Sequence, residues 1–308
     1  MKLKLILFFV SITTFGFSQQ EPQFTQFWNN YSLFNPANTA VDHFYAINSN
    51  YRTRFVDQGE QPQLISVNFE GKMPNLNSGI GGGYIFNKIG FAKSNKIYLT
   101  YAYHLKFKNE SILSVGASAD FQIMSFNPVW NAPQTGTQTV LDPSLPTTEK
   151  GYGVNINAGV MYKTKKLKLG LSLTQINELH LEKVNFKNTR HLFALASYKF
   201  GKGKFSYIPT IYYKSDFVAG IVELNNMFIY NNNGLKRTYF GFTYRHTDAL
   251  ALMLGIELKV YTRPPTSGLL SGYPDILKIM YSYDINTGPL APYDFNAHEI
   301  SLIYIISK

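Results

Sequence analysis

The chain has 308 residues, 45% of them hydrophobic, with 24 Phe, 22 Tyr, no Cys and a formal net charge of +10. The absence of cysteine excludes disulfides, thiol nucleophiles, thiolate metal sites and lipoprotein processing. A basic balance suggests nucleic acid, but two of the ten charges, Lys2 and Lys4, belong to a leader. The exported remainder would meet anionic lipopolysaccharide, peptidoglycan or acidic proteins instead, so no nucleic-acid partner is expected.

Lys2 and Lys4 flank an apolar stretch running to Val10, and Gly16-Phe17-Ser18 offers small residues for cleavage before Gln19. Residues 1–18 therefore read as a secretory signal peptide, the apolar run being too short for a membrane anchor. No later run of about eighteen apolar residues occurs, so no membrane-spanning helix is expected.

Residues 19–42 carry no strand-like alternation. Phe24, Phe27, Trp28 and Tyr31 have helical spacing, and Pro36 closes the run. An aromatic stripe needs a core to pack on. The reading is a short plug whose Phe24, Phe27, Trp28 and Tyr31 contact a barrel lumen, with Asn35-Pro36 turning the chain into the first strand.

From residue 43 to 308 the chain repeats about ten residues of apolar/polar alternation and then a turn. Leu250, Leu252, Leu254, Ile256 and Leu258 alternate with Ala251, Met253, Gly255, Glu257 and Lys259. Successive strand side chains face opposite ways, so each segment has one apolar and one polar or small face. Such lengths, with aromatics near the ends, fit bilayer-crossing strands. About fourteen are expected, near 43–52, 62–71, 79–88, 95–107, 111–123, 152–164, 166–175, 190–201, 204–214, 218–230, 236–246, 248–261, 274–285 and 296–306. The fold class is an all-β, antiparallel transmembrane barrel with a short N-terminal plug segment, and the location is the outer membrane.

Short turns at 108–110, 164–166 and 201–203 would lie on the periplasmic side, and the longer connections 124–151 and 175–189 outside. That topology gathers basic residues at the periplasmic rim. Lys165, Lys166, Lys202 and Lys204 are the candidates for docking a periplasmic partner, against the plainer reading of lysines that keep strand ends wet. Glu257 and Lys278 fall on adjacent strands and are expected to form a lumen ion pair. Asp120, Glu223, Arg245, Asp284 and Glu299 also fall on inward faces.

No enzyme is indicated. The six histidines are scattered, no Gly-x-Ser-x-Gly elbow occurs, and Gly81-Gly82-Gly83 sits within an alternating segment rather than before a helix. Close approach of the plug, or a bend, explains those glycines. Neither catalytic residues, nor metal ligands, nor cofactors are expected.

Several motifs in order resemble the PorP/SprF family, outer-membrane proteins of the type IX secretion system of Bacteroidetes. They are Glu21-Pro22-Gln23-Phe24-Thr25-Gln26-Phe27 with Phe34-Asn35-Pro36-Ala37, then Asn50-Tyr51-Arg52-Thr53-Arg54-Phe55. The closing stretch follows, Pro274-Asp275-Ile276-Leu277-Lys278, Tyr281-Ser282-Tyr283-Asp284 and His298-Glu299-Ile300-Ser301-Leu302. Glu21 stands where the family usually has Asp, and the chain ends without the terminal aromatic common in barrels. The resemblance implies a non-enzymatic role in secretion and gliding motility: export or surface anchoring of a large adhesin with a C-terminal sorting domain. It also implies neighbours among the periplasmic ring and motor components of the secretion system, to which the basic rim adds peptidoglycan-associated periplasmic proteins as candidate partners. A channel for small hydrophobic molecules, like fatty-acid transporters, and a passive porin are the alternatives.

Overall fold

The computed structural model describes residues 22–54, 61–128, 148–201, 203–232, 234–260, 274–288, 291 and 296–307. The expected signal peptide, residues 1–18, and residues 19–21 of the expected plug lie outside them.

The chain first makes two short 3-10 turns, Phe27–Leu33 and Pro36–Asn38. Strands β1 (Tyr45–Arg54), β2 (Gln63–Met73), β3 (Ser78–Ile89), β4 (Ala92–Lys106), β5 (Ile112–Phe126), β6 (Glu149–Lys163) and β7 (Leu167–Thr174) follow as a meander. A small hairpin, β8 (His180–Leu181) and β9 (Phe186–Lys187), interrupts it. The meander resumes with β10 (His191–Tyr198), β11 (Phe205–Ser215), β12 (Gly220–Asn232), β13 (Lys236–Arg245), β14 (Ala249–Val260), β15 (Asp275–Asn286) and β16 (Ala297–Ile306). β7 pairs with β10 and β16 with β1, so the fourteen long strands close into one antiparallel barrel. All fourteen expected strands are present, and no end is shifted by more than three residues.

The alternation explains the closure. On β14, Leu252 and Leu254 are 52% and 63% exposed, whereas Ala251 and Met253, which alternate with them, are 1% and 2% exposed. Phe240, Phe242, Leu169 and Leu171 are exposed in the same way. Asn48, Asn50 and Arg52 on β1 are buried, as are Asp120, Asn155 and Asn157 on β5 and β6. Apolar residues thus face outward and polar ones inward, the inverse of a water-soluble core. Wherever the ladder is continuous it satisfies the backbone without an edge open to hydrocarbon.

β1 begins and β16 ends at one rim, called here the terminal rim. Five of its six connections are short, the exception being 261–274. The expected long connection 124–151 falls largely outside the described residues. Connection 175–190 is described and folds inward at the opposite rim. Leu181 is buried, and Asn188 donates to Gln122 and Asn155 at 2.8 and 2.7 Å.

Candidate functional site

The described part of the plug crosses the lumen from the opposite rim to the terminal rim. Gln23 donates to Glu223 near the start of β12. At the other end Asp42 receives Lys163 at 2.5 Å and Lys168 at 2.7 Å, at the last residue of β6 and near the start of β7.

Its middle is aromatic. Phe27 stacks on Tyr212 with ring centroids 4.2 Å apart, and Tyr31 meets the same ring edge-on at 6.2 Å. Phe34 packs against Phe193 at 5.4 Å and Phe24 against Phe34 at 6.2 Å. Phe24, Phe27, Tyr31, Phe34, Phe193 and Tyr212 are all buried, and each such ring contributes about 1.5–3 kcal/mol of transfer free energy. Trp28 joins this cluster, edge-on to Phe27 at 5.3 Å, to that of Met227, Tyr239, Met253 and Met280. The helical spacing is realised only as 3-10 turns, because Asn30 leaves helical geometry and donates to Asn68 at 2.7 Å.

Asn35 and Pro36 do not turn the chain into the first strand, which starts at Tyr45 beyond Asp42; they open the second 3-10 turn against the wall. The Asn35 side chain caps the second turn by accepting from Ala37 N, with Pro36 in the first helical position. Its amide nitrogen donates to the carbonyls of Val160 and Leu171 at 3.1 and 3.3 Å. The wall has been emptied to admit this segment. A β-carbon on Gly116 would lie 2.4 Å from Ala37 N, and one on Gly159 would lie 2.2 Å from Asn35 Oδ1.

Near the opposite rim the plug meets charge. Glu299 accepts the backbone N–H of Thr25 at 2.7 Å and of Gln26 at 3.0 Å. Arg52 bridges Asp284 at 2.9 Å and Glu299 at 3.3 Å and donates to Thr25 Oγ1 at 2.8 Å. Arg245 lies 3.4 Å from both Glu223 and Asp284, and 2.8 Å from Asp248. Arg52, Glu223, Arg245, Asp284 and Glu299 are all buried. Two guanidinium groups thus hold three buried carboxylates, and Arg245 also the partly exposed Asp248, around the first turn of the plug. A buried charge needs such partners and such hydrogen bonds.

Glu257 and Lys278 are register partners on β14 and β15, but the direct pair expected between them is replaced. Glu257 bridges Arg237 at 2.9 Å and receives the Tyr239 hydroxyl. Lys278 instead donates to Asn29 of the plug at 2.7 Å and lies 4.3 Å from the Tyr239 ring centroid. The physical reason is competition: the plug amide and the ring face offer the ammonium partners, while the guanidinium of Arg237 takes the carboxylate.

Of the candidate docking residues, Lys165 and Lys166 lie in the β6–β7 turn and Lys204 precedes β11, all exposed at the terminal rim. Lys202 lies outside the described residues. Lys165 is partly neutralised by Glu110 at 2.7 Å. A cavity of about 420 Å³ at this rim is lined by Lys165, Lys166, Lys199 and Arg237. Where the plug leaves the lumen, burial raises the Asp42 carboxyl but Lys168 and Lys163 outweigh it, holding it below the usual carboxylate range. Burial lowers the neighbouring His43 to about 4, against the opposing pull of Asp42.

Sequence reasoning did not single out Asp42, met Thr25, Gln26 and Arg52 only inside motifs, and met Lys163 and Lys168 only as part of the basic periplasmic rim. Period two places Asn48, Asn50 and Arg52 on one polar face, which is a signal for Arg52. Nothing local marks Asp42, whose partners are more than a hundred residues away. Among the described residues no His, Asp or Glu group could hold a metal ion, and no helix is long and apolar enough to cross a membrane.

Solved barrels share this architecture. The Ralstonia pickettii toluene transporter TbuX matches with TM-score 0.56 and 13% identity over 88% of this chain and 92% of its own. The CymD monoaromatic hydrocarbon channel gives 0.56 and 13%, over 90% and 92%. The Pseudomonas putida toluene transporter TodX gives 0.52 and 12%, over 89% and 92%. At these identities the likeness is one of fold. No curated protein matches. The family model for the type IX secretion system membrane protein PorP/SprF matches residues 16–304, and with its closed fourteen-strand barrel the chain belongs to that family, an outer-membrane component of type IX secretion.

Proposed function

We propose that the barrel is a non-enzymatic attachment point rather than a conduit, supporting export or surface anchoring of a partner adhesin with a C-terminal sorting domain. The observation that carries this reading is the plug. From Gln23 to Asp42 it spans the lumen and is fixed at both ends by charged partners. A passive porin needs a water-filled lumen, and here its axis is packed with aromatic rings. In this reading the terminal rim faces the periplasm. Its lysines Lys165, Lys166 and Lys204, together with Lys202 of the same sequence cluster, then meet an acidic or peptidoglycan-associated component of the secretion machinery, gaining on-rate and orientation from the field.

The test is deletion of the chain, scored by surface display of secreted adhesin, with the purified barrel assayed in planar bilayers. Lost display and a silent bilayer support the reading. Normal display, together with conductance or uptake of small hydrophobic molecules by the intact barrel, overturns it in favour of a channel. Changing the four lysines together to Glu should weaken capture of periplasmic ring components. The wild-type capture should itself fall with salt, because exposed charges are screened over about 8–10 Å near physiological ionic strength.

A further inference from the structure

The junctions on the two sides of β6 differ in length. β5 pairs with β6 through fifteen register pairs, Ile112–Phe126 against Glu149–Lys163. β7 pairs with it through six, Ala158–Lys163 against Lys168–Leu173. No described strand pairs with the half of β6 from Glu149 to Asn157 on its β7 side.

The backbone groups on that side can be named. Ile156 N–H donates to Asn177 Oδ1 at 3.1 Å, and its carbonyl accepts Ile176 N at 2.9 Å. The Val154 carbonyl accepts Asn177 Nδ2 at 2.8 Å. Alternate residues of a strand direct their N–H and C=O to the same side. The groups of Tyr152 and Lys150 therefore point out from the same edge, past the two positions that Asn177 caps.

From Tyr152 inward this edge borders the apolar band, while Glu149 and Lys150 are exposed charges at the opposite rim. Tyr152, Val154 and Ile156 are 64%, 49% and 51% exposed on the outer face, beside exposed Phe121 and Ile123 of β5. An open sheet edge facing hydrocarbon is not tolerated. The connection after β7, which could have continued the wall, turns into the lumen. Leu179 and Leu181 come within 2.5 and 2.9 Å of where β-carbons of Gly153 and Gly151 would stand, so they back the inner face of the edge rather than extend the sheet. Below, the plug staples the short junction. Asn35 donates to Val160 and Leu171, and Asp42 neutralises Lys163 and Lys168; each pair is a register pair across it.

We propose that the β6 edge at Lys150–Val154 is a docking site for one extended segment of a partner protein, which joins the barrel wall as an added strand. This deepens the attachment reading and rests on it for the class of partner. The edge prescribes the segment's chemistry: apolar or aromatic residues facing lipid flush with Tyr152 and Val154, alternating with small residues facing Leu179 and Leu181. Five residues of edge span about 17 Å. That suits a single strand addition and is too little contact to hold two barrels together, since a stable interface needs on the order of 1,000 Å².

Photo-crosslinking residues placed singly at 152 and 154 test this in the full-length protein in its own outer membrane, with position 169 as a lipid-facing control. The expected result is adducts from 152 and 154 to residues two apart in one segment of another protein, and none at 169. Tyr152→Pro removes an edge N–H but leaves the β5 ladder, which uses Gly151 and Gly153. It should lower the yield at 154 by about tenfold while heat-modifiable migration shows an intact barrel. Adducts within residues 127–148 of the same chain, adducts to a second copy, adducts to lipid alone, or partner adducts without two-residue spacing would each overturn the proposal. If deletion of the chain abolishes display and such adducts appear, the edge fails and the attachment reading stands. If display survives deletion while the spaced adducts form, the attachment reading fails and the edge stands.

Discussion

The two sides of the lumen hold the plug by different physics. On the β7–β10–β11 side, rings meet rings: Phe27, Tyr31 and Phe34 lie on Phe193 and Tyr212. On the β1–β15–β16 side, backbone N–H groups and a hydroxyl meet charge: Thr25 and Gln26 on Glu299, Arg52 and Asp284. Ring packing is additive and adaptable, so losing one contact degrades it in proportion to area. A buried ionic cluster is not. Removing one member strands the rest, and the penalty is the desolvation of what is left rather than the worth of one contact. The aromatic side fills space, and the charged side fixes which residues of the plug sit where.

The sharpest way to break this contrast is Arg245→Leu. The substitution fills similar volume but leaves Glu223 and Asp284 with one guanidinium fewer. The expected loss is about 3–5 kcal/mol, read as a lowered temperature of heat-modifiable unfolding. Replacing Arg245 and Glu223 together by Leu and Met should recover part of it, because the pair then vanishes together. If Arg245→Leu unfolded like the parent protein, the cluster would be hydrated and the contrast wrong.

The aromatic side gives a smaller, graded effect. Phe34→Leu keeps an apolar group against Phe193 and should cost under about 1.5 kcal/mol. Phe34→Ala should cost about 3 kcal/mol. A series Leu, Val, Ala at this position should lose stability in steps with the volume removed, measured by the same unfolding assay. An abrupt loss at Leu would show that this side, too, demands a unique fit.

The wall was legible and the plug's partners were not, for one reason. Alternation is local: Leu252 and Leu254 announce a lipid face from within one strand, and fourteen such segments imply closure because an edge in lipid is not allowed. Asp284 and Glu299 could be assigned inward by the same parity. Their partners could not, because Thr25 and Arg52 lie more than two hundred residues away in sequence. The same limit misassigned Glu257 and Lys278. Register alone sets them opposite each other, but Arg237 on one neighbour and Asn29 on the plug decide whom they bind. The aromatic spacing of the plug was visible. The 3-10 geometry was not, since Asn30 breaks the helix to reach Asn68 on β2.

The smallest effect belongs to the terminal rim, where the plug leaves the lumen and the two kinds of hold give way to a partly exposed one. Asp42 sits between Lys163 and Lys168, with side chains 22–31% exposed. Asp42→Asn should therefore loosen this end by only about 1 kcal/mol, while leaving two facing lysines less well compensated. The pH dependence has a definite sign. The ordinary His43 value is 6.5, and burial, assisted by Lys168, Lys163 and Lys278 and opposed by Asp42, lowers it to about 4. Between those two values the unfolded chain carries a proton that the native chain refuses, so stability rises with pH there. Its contribution is fully present above 6.5 and is lost as pH falls toward 4. Asp42 behaves separately: its carboxyl is held below its ordinary 3.8, so its contribution is present above that value and declines only below it. Unfolding temperatures of the intact barrel at pH 7 and pH 4.5 should therefore differ, and His43→Gln should narrow the gap without lowering the value at pH 7 by more than a few degrees. An equal gap in both proteins would assign the acid sensitivity to the buried carboxylates at the other end of the plug.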